Sequence, residues 1–457
     1  MLFNSVVFLF FLLIVHQVFW RLPRHSRKYW LLLASIVFYA YWDWRFLGHF
    51  IGVVLINYGF VKFLLKRRVK SIFILAISLN LLNLCFFKYV NSVLVMMGKW
   101  GGMPEALLLK KDLGIILPLA ISFYTFQIIA FTTDVWRREV KEIDFIRYSF
   151  FIMFFPQLIA GPIMRHSDFL HQIDHTELKE EDVPAGLYLL LLGTIKKVLI
   201  ADELARIINP VWAAPGQFDQ LAVFAASIGF VAQVYCDFSG YTDMARGVAR
   251  LLGYHIPENF FFPYLSTSFA ELWKRWHVTL STWLRDYLYI PLGGSRTEPA
   301  RLYLNIIVVM SLGGLWHGNT YAFFLWGLLH GVFLALERFL GFSAPARTLY
   351  TAIPRNFLVM IVWWAGAVFF RGQNMETAIA IFSGLLENEG FSLDNATMVF
   401  QLTLMAWLLQ FLQKYRGRYE HYLKQYWKFV LPALCLITFY LIVRIETPPE
   451  KFIYFQF

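Results

Sequence analysis

Apolar runs long enough to cross a lipid bilayer recur from one end of this 457-residue chain to the other. That recurrence constrains the fold more than any motif does. A spanning helix needs about 20 apolar residues, and in lipid its backbone groups must find partners within the segment. The runs cover about 2–20, 29–42, 47–65, 71–97, 114–132, 145–163, 184–202, 219–237, 303–314, 321–341, 355–371, 397–413 and 428–445. Several are short or carry Pro or Gly, and these are read as broken or re-entrant helices, which survive at depth only inside protein or beside water. The expected fold class is therefore all-α, a polytopic membrane protein. No internal repeat, low-complexity tract or linker divides it, so residues 1–457 are read as a single integral-membrane domain.

Composition agrees. Hydrophobic residues make up 58% of the chain and charged residues only 16%, with a mean hydropathy of +0.55. The 47 Phe, 23 Tyr and 16 Trp suit a bundle with aromatic belts at both interfaces. The net charge of +11 does not indicate nucleic-acid binding, because the cations lie in short blocks between apolar runs. Such blocks set topology and can touch anionic membrane lipids. Arg21, Arg24, Arg27 and Lys28 form one block; Lys66, Arg67, Arg68 and Lys70 a second; Arg137, Arg138 and Lys141 a third; Lys414, Arg416 and Arg418 a fourth. The positive-inside rule places all four in the cytoplasm, which puts both termini on the extracytoplasmic side. The first run has no basic n-region or cleavage site and reads as an uncleaved span. Cys85, Cys236 and Cys435 are widely spaced in apolar sequence and form neither a disulfide framework nor a metal site.

The chemistry concentrates between residues 235 and 319. Asp237, Tyr241 and Asp243 follow an apolar run, and buried acids there need partners. Arg246 and Arg250 stand at helical spacing from Asp243 and can pair with it. Two readings stay open: a buried ion-pair brace, or the polar wall of a reaction chamber. Residues 268–289 read as one helix, capped by Ser268 with Glu271 three residues on, and ended by Pro291 and Gly293-Gly294. On that helix His277 lies on an aromatic face with Trp273, Trp276 and Trp283, and Asp286 is about half a turn round from it. His317 follows Trp316 among Gly313, Gly314 and Gly318, an arrangement suited to a sharp turn, and Asn319 is placed to steady its ring. Histidine at membrane depth is costly and marks a functional site.

These motifs resemble the membrane-bound O-acyltransferases, and within them the bacterial branch that acetylates exopolysaccharides such as alginate. The similar stretches are Leu117 to Gln127, Phe155 to Pro162, Asp237 to Asp243, the run Trp283 to Arg296, the two histidine motifs, and the tail Phe452 to Phe457. The resemblance implies many tilted and re-entrant helices around a funnel. It implies that His317 is the catalytic histidine and His277 the second active-site histidine. It also implies acetyl-CoA as acyl donor, with no permanently bound cofactor, and a periplasmic acetyltransferase partner or the exopolysaccharide itself as acceptor. The setting is then the bacterial inner membrane. A sister group transfers D-alanine towards teichoic acid. His166, His171 and His175 match no family pattern and are assigned no role.

On this reading His317 is a general base that takes the acceptor's hydroxyl proton, and His277 orients the acceptor or the thioester carbonyl, or stabilises developing charge. Trp276 and Trp316 wall the chamber against water, and Asn319, Asp237 and Tyr241 complete the substrate-binding set. The competing classes are a proton-coupled transporter, which intramembrane His, Asp and Arg would also suit, and an inactive scaffold. A carrier usually shows paired halves, and none is visible here.

Overall fold

The computed structural model describes residues 1–101, 115–159, 161–387 and 389–415, with Pro432, Ala433, Leu436, Ile437 and Tyr440 beyond them. Cys435, Arg416, Arg418, most of the run at 428–445 and the tail Phe452 to Phe457 lie outside the described residues. The described chain is all-helical, with no β-strand and one isolated bridge between Phe218 and Phe391. Among the described residues, eight helices are long and apolar enough to cross a membrane. The all-α, polytopic expectation holds.

The chain divides into two compact units, one of Leu13–Thr176 with Met1, the other of Leu2–Leu12 with Glu177–Phe457. Helix α1 (Val6–Arg21) contributes residues to both. The first unit holds α2 (Arg24–Asp43), α3 (Arg45–Lys66), α4 (Lys70–Trp100), α5 (Ile121–Trp136) and α6 (Phe145–Met153). Some of its buried polar groups pair with one another, as apolar surroundings favour. Asn57 on α3 and Asn80 on α4 exchange amide hydrogen bonds of 2.7 and 3.1 Å. The run expected at 145–163 breaks after Met153, and the break is braced from three sides. Ser35 Oγ accepts from the Phe155 N–H at 3.1 Å, and Gln127 donates to the Phe151 carbonyl at 2.7 Å. Gln157 donates to Gln127 Oε1 at 3.0 Å. Two of the motifs that carry the family resemblance, Leu117 to Gln127 and Phe155 to Pro162, thus meet at their glutamines.

The second unit is built around α8 (Gln220–Leu251), whose 18-residue apolar window is 83% buried. It packs against α7 (Asp182–Ala213), which widens into a π-helical stretch over Ile195–Asp202. Glycines set their separation: a Cβ at Gly193 would come within 2.5 Å of the Gly240 carbonyl oxygen, so the backbones meet only because neither residue has a side chain. The remaining elements are α9 (Phe269–Arg275), α10 (Val278–Leu284), α11 (Pro299–His317), α12 (Tyr321–Phe339), α13 (Leu349–Gly372), α14 (Met375–Glu387) and α15 (Ala396–Lys414). At the edge of this unit α15 buries only 17% of its window, against 83% for α8.

The close α7–α8 contact carries a ladder of buried charges. Lys196 pairs with Asp243 at 2.7 Å, and Lys197 pairs with Asp237 at 2.6 Å and with Asp202 at 2.7 Å. Arg246 reaches Asp243 at 3.5 Å and Glu258 at 2.8 Å. The π-turn sets the two lysines, adjacent in sequence, against acids six positions apart on α8. The ion-pair reading of this stretch is therefore realised, with one correction: Arg250 lies 4.0 Å from Asp182 instead of pairing with Asp243. Lys196 takes Asp243 from the facing helix.

Candidate active site

His277 does not lie on one continuous helix. The expected helix 268–289 is interrupted: α9 ends at Arg275, α10 begins at Val278, and Arg285–Tyr289 continues as a π-turn. His277 occupies the break in the left-handed region, with φ 41° and ψ 54°. A non-glycine residue held there costs on the order of 1–3 kcal/mol and persists only where surroundings over-determine it. Those surroundings are visible. The Asn259 carbonyl accepts from Val278 N–H at 3.1 Å, and Asn259 Oδ1 accepts from Thr279 N–H at 3.2 Å and Thr279 Oγ1 at 2.7 Å. Asn259 thus satisfies the exposed amides at the start of α10 from outside the helix. The start of α9 is as expected in one half of its capping box: Ser268 Oγ accepts from Glu271 N–H at 3.0 Å, but Glu271 bonds the Thr267 amide at 2.7 Å. Asp286 pairs with neighbouring Arg285 at 2.6 Å.

The His277 ring is fully buried. It stands edge-on to Phe238 of α8 at 4.7 Å between centroids and lies 6.4 Å from Trp316. His317 is the last residue of α11, so the glycines before it do not make a turn. Gly314 instead lets α11 press against α12, where a Cβ would collide with the Phe323 carbonyl. The His317 ring, 4% exposed, is held by Trp316 at 4.8 Å, Trp326 at 5.0 Å and Phe370 at 5.2 Å, all edge-on. Trp316 therefore touches both histidines, and the two sequence motifs converge on one aromatic core. Asn319 is solvent-exposed. Asp237 faces Lys197, and Tyr241 stacks on Phe3 at 4.7 Å. Phe238, between those two in sequence, is the α8 residue that meets His277.

Several residues of this core have no motif to announce them. Trp326, Trp363 and Phe370 read in sequence only as apolar filling. His330 on α12 is a third buried histidine; its ring stacks on Trp363 at 5.3 Å and meets Trp326 at 4.6 Å, and neither nitrogen has a hydrogen-bond partner among the described residues. Lys196 and Lys197 carried a usable signal, since adjacent lysines in an apolar run are themselves exceptional. In the first unit, His166 Nδ1 lies 2.8 Å from Asp134 Oδ2, and with Glu139 these form the one three-residue group of possible metal ligands among the described residues.

Beside α9 and α10 a cleft of about 570 Å³ opens. Its apolar walls include Trp273, Leu284, Val309 and Met310, and Lys274, Arg285 and Arg338 also line it. This size and lining suit a ligand with an apolar body and an anionic end. Trp273 connects the cleft to the histidines: its ring meets Trp326 at 5.8 Å, and Trp326 meets His317.

A polytopic helical protein with paired buried histidines beside such a cleft has the layout of a membrane acyl-transfer enzyme. Comparison with known families establishes that class: residues 72–375 match the model of MBOAT, the membrane-bound O-acyltransferase family. The chain belongs to this family, and it is an acyltransferase. It is 38% identical over 84% of its length to the probable alginate O-acetylase AlgI of Pseudomonas aeruginosa, covering 75% of that protein. It is 34% identical over 86% of its length to the peptidoglycan O-acetyltransferase of Helicobacter pylori, covering 81% of it. Similarity to the teichoic acid D-alanyltransferase of Bacillus subtilis is 28% over 48% of the chain and 59% of that protein. The transporter and scaffold alternatives are thereby set aside.

Proposed function

We propose that this protein takes an acetyl group from cytoplasmic acetyl-CoA and passes it through the membrane for O-acetylation of an alginate-like exopolysaccharide. The observation that carries the reading is the convergence of His277 and His317 on Trp316, in a chain whose long-range relatives are O-acetylases. His317 is the general base. Its imidazole takes the proton of the acceptor hydroxyl as the oxygen attacks the thioester carbonyl; the C–S bond breaks, and the imidazolium returns the proton to the leaving thiolate. His277 orients the reacting carbonyl, held by the Asn259 staple. Trp276 and Trp316 keep water from hydrolysing the thioester. Asp237 and Tyr241 form the α8 wall behind Phe238, and Asn319 lies at the exposed end of the His317 motif.

Lys274 and Arg338 supply positive charge that the phosphates of CoA require, and the apolar walls of the cleft suit its pantetheine arm. The basic blocks after the early spans support an inner-membrane protein with these loops in the cytoplasm and its N-terminus outside. The acceptor is the polymer or a hydroxyl on a periplasmic acetyltransferase partner. The test is release of free CoA from acetyl-CoA by the purified protein in nanodiscs, with and without the candidate partner. Turnover is expected in the wild type and a loss of roughly 10²–10⁴-fold in His317→Ala, with folding intact. Equal turnover in the two proteins would refute the assignment of His317.

A further inference from the structure

Next to the histidines the second unit holds a small cavity of about 20 Å³, walled by Trp276, Trp326, Trp363 and Phe370, with Phe230, Val234 and Ala367 completing its lining. We infer that this cavity is the acyl subsite, that it seats the methyl of an acetyl group, and that it sets the enzyme's preference for the two-carbon donor. The inference rests on the acyl-transfer reading above and adds to it the residues that select the acyl group.

Three observations carry it. The first is position. Trp326 and Phe370 line the cavity and are also the rings that pack on His317, at 5.0 and 5.2 Å. Trp276 lines it and is the residue before His277. A carbonyl placed for attack beside His317 therefore has its alkyl substituent within reach of this space. The second is size and character. About 10–15 Å³ admits one water-sized group, so 20 Å³ holds one such group and not a chain; a cavity lined by aromatic and aliphatic side chains stays dry and favours a methyl over water. The third is rigidity. Trp276 and Trp363 meet edge-on at 4.7 Å, and Trp363 is in turn stacked on His330 at 5.3 Å. Walls interlocked in this way, each 5% exposed or less, have nowhere to retreat from a longer acyl chain. The 570 Å³ cleft on the far side of Trp273 has no such limit, so discrimination by chain length belongs to the small cavity and donor-head binding to the large one.

The experiment compares acetyl-, propionyl- and butyryl-CoA as donors, read as free CoA released, in wild type, Val234→Ala and Ala367→Val. A single surplus methylene in a fitted apolar pocket is worth roughly 10–200-fold in kcat/KM, so the wild type should prefer acetyl- over propionyl-CoA by that order. Val234→Ala enlarges the cavity and should reduce that preference at least tenfold. Ala367→Val fills it and should lower kcat/KM for acetyl-CoA itself by about tenfold or more, while thermal melting in detergent shows the variant folded. If the space is only a packing defect, Ala367→Val will raise the melting temperature without loss of turnover and Val234→Ala will leave the donor ratio unchanged; that result overturns the subsite while leaving the acyltransferase reading intact. Absence of CoA release from any thioester by the wild type, with the partner present, would overturn both together.

Discussion

The second unit buries polar groups in two contrasting ways. Between α7 and α8, Lys196, Lys197 and Arg246 each lie against one or more acids, and the ladder is held by charge. Around α11 and α12, His277, His317 and His330 are caged by tryptophan and phenylalanine rings instead. The difference separates architecture from chemistry. A charge buried with its counter-charge is satisfied in the resting protein and braces two helices. An imidazole packed among aromatic rings is positioned largely by the shape of its neighbours. On the proposed function, the α7–α8 ladder is the scaffold and the aromatic core the reaction centre.

The comparison can be broken by mutation. Lys197→Met leaves Asp237 and Asp202 facing each other without their cation and should cost about 3–5 kcal/mol of stability. Lys197→Met combined with Asp237→Leu should recover a large part of that loss, since an apolar pair of similar volume is often as stable as a buried ion pair. Both are read as thermal melting in detergent, with turnover per folded molecule retained. Turnover abolished in a fully folded double variant would move the ladder from scaffold to reaction centre. In the aromatic core the expected signs are opposite. His277→Ala should lower kcat by about 10²-fold, as for loss of one stabilising group, with little change in melting; a loss as large as that of His317→Ala would make the two histidines a joint proton relay. The smallest effect is expected for Asn259→Ala. It removes the side-chain half of the staple on α10 and should cost about 1 kcal/mol, comparable to a helix cap, with a modest fall in kcat as His277 loses its fixed position. A fall confined to stability would show that the break holds His277 without Asn259.

Much of the fold was legible in advance because lipid leaves a chain few choices. Apolar runs at 47–65, 71–97, 321–341, 355–371 and 397–413 match α3, α4, α12, α13 and α15 closely, and the Ser268 cap starts α9 where expected. The readings that failed share one cause: local pattern was overridden by tertiary contact. The 3.6-residue repeat across 268–289 is genuine, but Asn259 supplies a better partner for the amides after His277 than the helix itself does, and the helix divides. Gly313 and Gly314 look like turn residues, yet the second is used for close approach of α11 to α12. Arg250 stands at the right spacing from Asp243, but Lys196 arrives from another helix.

By itself the sequence determined the membrane class, the helical architecture, the family motifs and the two histidines, because hydropathy, capping and motif chemistry are properties of short stretches. Only the tertiary structure decided that Trp316 joins those histidines, that Lys196 and Lys197 answer the acids of α8, and that tryptophans from three separate stretches of chain close around one small apolar cavity. Those are packing outcomes between residues far apart in the chain, and packing is set by the shapes of all the neighbours at once, which no local pattern encodes.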